Sequence, residues 1–292
     1  MGHIVGAALV SHIPPIVMGD EILSLLYGPE GTTLVDGLHR MRAEKLDHLD
    51  IDTVIVFDSH WYTTVEHIIT AHDRRSGLFT SSELPRGMSA MPYDMPGDPE
   101  LAIAFERIAN ARTDTRGLAC ADPYLPVHYA TTNLLPFLQA EGEAWLSMGI
   151  CQTATVDDFL LAGELLGEAI AGLDRNVVLL ASGGLSHRFW PMQEFALHEA
   201  ADPIHIRTPE ARAADEHVLA LLDAGQHDAV IDGMPTYRTH GPEAFFGHYL
   251  MMVGALGGRR CTARGERFSA YESAAGTGQV HVWFDLPGGR AA

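Results

Sequence analysis

Cysteine is scarce in this chain: Cys120, Cys151 and Cys261 are the only three among 292 residues. They are too few and too far apart for a disulfide framework or a paired-cysteine zinc site, and they read as reduced thiols of a cytoplasmic protein. Positive charge is scarce as well. Lys and Arg number 19 against 38 Asp and Glu, a formal charge of −19. A nucleic-acid partner requires a basic face to displace counterions from phosphate, and an anionic membrane requires a basic patch; this balance excludes both. No apolar run approaches the roughly 18 residues of a membrane span. The first residues, MGHIVGAALVSHIPP, carry no basic leader and no small-residue cleavage site, and read as a first strand. Hydrophobic residues at 47% and charged ones at 20% make a globular composition, not a disordered one. What is abundant is histidine, with 16 residues against 19 Lys and Arg together.

Short apolar runs alternate with helical spacing along most of the chain. Residues 4–10, 53–57, 67–72, 144–150, 177–181 and 279–284 read as strands. TVIVF at 53–57 and VVLLA at 177–181 are unbroken by polar residues, as in strands covered on both faces. Residues 32–49, 99–112, 156–173, 209–224 and 242–256 read as helices, the second opening on Pro99. This alternation predicts βαβ crossovers. We expect one α/β domain over 1–292, a largely parallel central sheet flanked by helices, and an active site at the carboxyl ends of the strands. Residues 80–97 and 187–209 fit neither period, and segments of that length are expected over the site.

Three of the apolar runs lead into the same dipeptide. GAALV precedes Ser11-His12, TVIVFD precedes Ser59-His60, and VVLLASGGL precedes Ser186-His187. Parallel neighbours would bring the three imidazoles to one rim. A single strand-end histidine is as readily a polar residue bonded to backbone, but three in one setting point to a shared site. A carboxylate would complete it, because two His and one Asp/Glu on one face leave positions on Fe(II) for both a substrate and O2. Glu243, beside Pro242 at the start of an apolar helix, is the candidate, and it reads equally as an acidic first-turn residue complementing the helix dipole. Imidazole and carboxylate suit Fe(II), or Mn(II), better than do the soft thiolate sets that favour zinc. His128, in PVHY, is a fourth candidate, with a backbone-bonded loop histidine as the plainer reading. Ser11, Ser59 and Ser186 are candidates to fix ligand tautomers.

SHIPP near His12, DTVIVFDSHW around His60, SSELPRGM followed by GDPELA, LASGGLSHRF around His187, LMMVGALG after Glu243 and GTGQVHVWF near the C-terminus form a recognisable set. Together they resemble the class III (LigB-type) extradiol ring-cleaving dioxygenases, the protocatechuate 4,5-dioxygenase catalytic-subunit superfamily. FDSHW and ASGGLSHRF are the specific parts. The likeness runs nearly end to end, toward the homoprotocatechuate 2,3-dioxygenase branch. It implies that His12, His60 and Glu243 hold Fe(II) and that His187 is an acid/base beside the metal. It also puts His128 near a second active-site histidine of some members. The segment GPEAFF departs from the relatives, and Glu243 is placed by alignment from LMMVGALG downstream. The implied reaction is extradiol cleavage of a catechol-type aromatic by O2 to a muconic semialdehyde, in aromatic catabolism, by a homo-oligomer. An imidazole exchanges protons near neutrality, which suits the role of His187.

Trp61, Tyr129, Phe189 and Trp190 adjoin these residues and are candidates to stack on a substrate ring, with core packing as the alternative for each. Arg188 suits a substrate carboxylate or a structural ion pair. His240 and His248 flank Glu243 and are candidates for the pocket wall. The other histidines (His3, His39, His48, His67, His72, His198, His205, His217, His227 and His281) are read mostly as solvated on helix faces and loops. Three further functions are compatible with the pattern. One is ring cleavage of a 2-aminophenol. Another is a hydrolase holding zinc and a water nucleophile on the same three ligands. The last is a binding protein without chemistry, which would be expected to lose the ligand set that this chain keeps.

Overall fold

In a computed structural model the described residues are 1–28 and 31–286, so 29–30 and 287–292 of the expected 1–292 domain lie outside the described residues. The strands are β1 (His3–Val10), β2 (Thr53–Thr63), β3 (His67–Thr70), β4 (Arg74–Phe79), β5 (Met91–Pro96), β6 (Gly117–Cys120), β7 (Ala144–Cys151), β8 (Asn176–Ser182), β9 (Arg264–Arg267), β10 (Glu272–Ala274), β11 (Thr277–Gln279) and β12 (Val282–Asp285). Eight of them form one sheet in the order β6-β3-β7-β2-β8-β1-β12-β9, while β4 pairs with β5 and β10 with β11 outside it. The pairs β3/β6, β2/β7, β2/β8 and β1/β8 are parallel. The pairs β3/β7, β1/β12 and β9/β12 are antiparallel. The sheet is therefore mostly parallel, with its β1, β2 and β8 centre made of the most apolar runs.

Successive side chains of a strand point to opposite faces, and the apolar runs divide accordingly. Ala7, Leu9, Ile55, Phe57, Val177 and Leu179 meet helices Pro99–Asn110, Val156–Ala171, Pro209–Asp223 and Gly247–Ala255 on one face. Ala8, Val10, Val54, Val56, Val178 and Leu180 meet helix Thr33–Glu44 on the other. The helices start where short polar side chains take up free N–H groups. Thr32 accepts from the Leu34 amide, Asp98 from Leu101, Thr208 from Ala211, and Thr155 and Asp158 cap each other reciprocally. Helices Val156–Ala171 and Gly247–Ala255 touch backbone to backbone. A Cβ on Gly163 would lie 2.0 Å from the Met251 carbonyl oxygen, and one on Gly254 2.3 Å from that of Leu160.

The elements differ from expectation in several places. The strand at 53–57 continues through His60 to Thr63. The helix expected over 242–256 begins only at Gly247, because residues 244–246 take positive φ. Before it, Glu243 donates its amide to the Leu185 carbonyl at 2.9 Å, and an antiparallel bridge joins Ser186 to Pro242. The strand expected over 279–284 divides between β11 and β12, with the amide of His281 turned to the Ser269 hydroxyl at 2.8 Å. The β4/β5 hairpin and helix His227–Tyr237 occupy stretches to which the spacing assigned no element. Among the described residues no helix is long and apolar enough to cross a membrane.

Candidate metal centre

Pairing along β8 ends at Ser182 on both sides, opposite Val10 of β1 and opposite Asp58 of β2. The chain beyond Val10 delivers His12 directly to this rim. In β2 the pairing with β7 jumps, so that Asp58 faces Gly149 while Tyr62 faces Ile150. Residues 59–61 form the resulting bulge, which re-aims the His60 side chain. Asp58 braces it, accepting the His60 amide at 3.0 Å and the Thr131 hydroxyl at 2.6 Å.

His187 arrives by a different route, which corrects the picture of three equivalent strand ends. Strand β8 stops at Ser182, and the chain passes Gly183 and Gly184 before residues 185–187 run alongside 241–243. The His187 amide donates to the Gly241 carbonyl at 2.9 Å. Behind it, the buried Asp215 accepts from the Ser186 amide at 3.0 Å and from the hydroxyls of Ser186, Tyr237 and Tyr271 at 2.6, 2.8 and 2.7 Å.

These routes gather four side chains. Glu243 Oε1 lies 3.6 Å from His12 Nε2 and 3.5 Å from His60 Nε2, and Glu243 Oε2 lies 3.6 Å from His187 Nε2. One ligand atom from each of His12, His60 and Glu243 falls within 4.8 Å of the other two, a group able to hold a metal ion. Ligands in adjacent positions on an ion at bond lengths of about 2.1 Å stand roughly 3 Å apart, so small shifts would close the set. The site is buried, with His12 and Glu243 only 4% and 5% exposed.

Hydrogen bonds fix the ring faces. The Ser182 hydroxyl donates to the Ala130 carbonyl at 2.6 Å, so toward His12 Nδ1, 2.9 Å away, it can only accept. His12 therefore carries its proton on Nδ1 and presents the Nε2 lone pair. His60 Nδ1 lies 3.2 Å from Glu83 Oε1, which likewise leaves Nε2 facing the carboxylate of Glu243. Glu243 itself accepts from the Ser59 hydroxyl and the Gly184 amide, each at 2.5 Å. Burial pushes the pKa of His12 down to about 3, against the pull of Glu243. Burial also pushes that of Glu243 up, but the imidazoles around it, His187 first, outweigh this and hold it well below the usual carboxylate range. For His60 burial is again the largest influence and lowers the pKa, yet Glu83, Glu243 and Asp58 together raise it. A neutral His12 and an ionised Glu243 are the protonation states a divalent ion requires.

A cavity of about 400 Å³ opens onto this group. His12, His60, His187 and Glu243 form its polar end, and Ile13, Pro14, Pro15, Met18, Leu26, Leu84, Tyr129, Phe189 and Phe195 much of its apolar wall. Leu84 and Phe195 come from the two irregular stretches, which do lie over the site as expected. Tyr129 is where the sequence placed it, its ring 3.9 Å from that of His60 and its hydroxyl donating to Glu83 at 3.2 Å.

Phe189 lines the cavity as anticipated, whereas Trp61, Trp190, Arg188, His240 and His248 do not. Trp61 is buried and stacks at 6.3 Å on His128, whose Nε2 has no hydrogen-bond partner and whose pKa burial lowers. Arg188 is exposed and donates to the Thr239 carbonyl at 2.7 Å. His248 is fully buried behind Gly183, where a Cβ would meet its Nε2 at 2.6 Å. His240 lies in a separate cavity with His217. Of the three serines expected to orient ligands, only Ser59 touches a member of the candidate metal group, Glu243; Ser11 donates to Gln279 at 2.7 Å and Ser186 to Asp215. His67, His227 and His281 are buried rather than solvated.

Sequence reasoning passed over Ser182, Glu83, Asp58 and Asp215. Signals for three of them were present. Ser182 ends the apolar run of β8, Glu83 stands inside SSELPRGM, and Asp58 precedes His60 by two residues, the spacing of an Asx turn. Asp215 sits on a helix with no local mark of its role.

Similarity to known proteins agrees with this geometry. The chain is 30% identical over 264 residues to a 3,4-dihydroxyphenylacetate 2,3-dioxygenase of Escherichia coli, covering 88% of this chain and 91% of that protein. The solved structure of an uncharacterized protein from Escherichia coli K12 superposes with a TM-score of 0.63 at 16% identity, over 96% of this chain and 99% of that one, which shows a shared fold. The family described as the catalytic LigB subunit of aromatic ring-opening dioxygenase matches residues 6–285, from within β1 to the last residue of β12. With the His, His and Glu group standing at the strand rim inside that match, the chain belongs to the LigB family of aromatic ring-opening dioxygenases.

Proposed function

We propose that the protein is an Fe(II)-dependent extradiol dioxygenase that opens a catechol-type aromatic to a muconic semialdehyde, with both atoms of O2 entering the product. His12, His60 and Glu243 would hold the metal, and His187 would be the acid/base. The observation that carries this reading is a buried His, His and Glu group with a further imidazole 3.6 Å from its carboxylate, at one end of a largely apolar cavity. Two His and one carboxylate leave positions for a bidentate substrate and O2 on Fe(II), and Mn(II) fits the same donors. When bound, the ion would supply the redox chemistry by which O2 reacts with the aromatic.

The chain's own residues have separable tasks. Ser182 and Glu83 hold the rings of His12 and His60 with Nε2 toward Glu243. The apolar wall seats the aromatic ring and keeps water from it, with the Tyr129 ring edge-on to His12 and tilted against His60. His187 Nε2 accepts a proton from a substrate hydroxyl as the ring binds and returns it as the ring opens. We further read the protein as a cytoplasmic homo-oligomer in aromatic catabolism, with residues 1–292 as one catalytic domain.

Protein purified without oxygen, loaded with Fe(II) and given catechols and 2-aminophenol in air is expected to consume O2 and form a yellow ring-opened product. No oxygen uptake with any of them would refute the proposal, and activity with Zn(II) without oxygen uptake would favour a hydrolase. His60→Ala is expected to lose the metal. His187→Ala is expected to keep full metal stoichiometry and to lose roughly 10²–10⁴-fold in kcat. Loss of iron from His187→Ala would overturn its assignment.

A further inference from the structure

The walls of the main cavity carry charge of one sign. Glu83 and Glu199 line it together with Glu243, and among the described residues lining it none is Lys or Arg. Glu83 bonds His60 and Tyr129. Glu199 accepts from the Tyr27 hydroxyl at 3.0 Å, and burial raises its pKa. A carboxylate held in an apolar wall with one neutral donor lacks a countercharge, and a cationic ligand group would supply one.

The nearby arginines do not change this. Arg188 points to the Thr239 carbonyl. Arg238 lines a separate cavity of about 310 Å³, which shares only His60, His187 and Glu243 with the main one, and Arg238 is not among the residues lining the main cavity. The guanidinium of Arg238 lies 5.8 Å from the Phe245 ring, with Nε and Nη2 buried and unpartnered. The whole molecule acts in the same direction, since a formal charge of −19 opposes the approach of an aromatic acid.

Resting on the ring-cleavage reading above, we propose that the site selects catechols whose substituent is uncharged or cationic, such as an alkyl or aminoalkyl chain, and rejects those bearing a carboxylate. The substrate would then differ in charge class from the dihydroxyphenylacetate named for the relative at 30% identity. Glu199, on the cavity wall, is the specificity-determining residue for the amine.

The test is anaerobic titration calorimetry of the Fe(II)-loaded protein with 4-methylcatechol, dopamine and 3,4-dihydroxyphenylacetate, followed by kcat/KM for each in air. Dopamine and 4-methylcatechol are expected to bind at least about tenfold more tightly than the acid, and Glu199→Gln to lower the dopamine-to-methylcatechol affinity ratio about fivefold or more. Tightest binding by the acid would overturn the inference and leave ring cleavage standing, and loss of that preference in Arg238→Gln would move the substituent to the smaller cavity. An unchanged ratio in Glu199→Gln would remove Glu199 from its role. Failure of all three compounds to bind would overturn the ring-cleavage reading and this inference with it.

Discussion

Which nitrogen of His12 faces the centre is decided one strand away, at a single hydroxyl. Ser182 spends its only proton on the Ala130 carbonyl, and what it offers His12 is a lone pair. Without that acceptor the imidazole is free to carry its proton on Nε2, the form with no lone pair facing the centre. Ser182→Ala is therefore expected to weaken Fe(II) or Co(II) binding about 10–100-fold while leaving the near-ultraviolet circular dichroism of the metal-free protein unchanged. Metal affinity equal to that of the unaltered protein would refute the tautomer argument. Residue scale is also where the sequence was hardest to read. The pattern Ser-His drew attention to Ser11 and Ser186, yet these bond Gln279 and Asp215, which lie far away along the chain. The residue next in sequence is rarely the one that orients a ligand when strands bring remote residues closer.

At the scale of elements, much was legible because strand and helix periods are local properties of the chain. The alternation of 53–57, 144–150 and 177–181 with helices led to a mostly parallel sheet and to the correct rim for His12 and His60. The turn around Glu243 was not legible, since its apolar residues fit a helix and its conformation is imposed by contacts with residues 185–187. Ala244, Phe245 and Phe246 have φ of 47°, 60° and 61°, a left-handed turn without glycine, in which each residue costs about 1–2 kcal/mol. Backbone strain of this kind is kept where it aims a functional group. Phe245 is 42% exposed, so its removal gives up the covered part of the ring, including the contact with Arg238. Phe245→Gly trades relief of left-handed strain against lost ring contacts and the greater freedom of glycine in the unfolded chain, so it is expected to change stability in urea by no more than about 1 kcal/mol and to weaken metal binding, because a relaxed turn no longer fixes the Glu243 carboxylate. Metal affinity unchanged by the substitution would show that the turn is not strained in the service of Glu243.

Across the whole molecule, the surplus of histidine acquires a consequence that no single site explains. His67 and His281 lie outside the proposed ligand set, are 5% and 0% exposed, and burial lowers each pKa to about 4. An unfolded chain takes up a proton at such a residue near pH 6.5, whereas the folded one stays neutral until about pH 4. Between these values the unfolded state holds more protons, so stability falls as pH drops through this window and levels off below it. Acidification has an opposing effect as well, since the charge of −19 shrinks toward zero near pH 5.1 and self-repulsion fades. The two are separable at His67, whose Nδ1 has no partner and whose ring packs edge-on at 6.2 Å against Phe159. Phenylalanine keeps that packing in a strand and cannot titrate. With chelator present to exclude metal release, His67→Phe should gain about 2 kcal/mol on the unaltered protein between pH 7.5 and pH 5 in urea unfolding. Because both proteins share the same acidic surface, the fading repulsion cancels in the comparison. Parallel pH profiles would mean that His67 is already charged in the folded state, and that acid lability arises elsewhere.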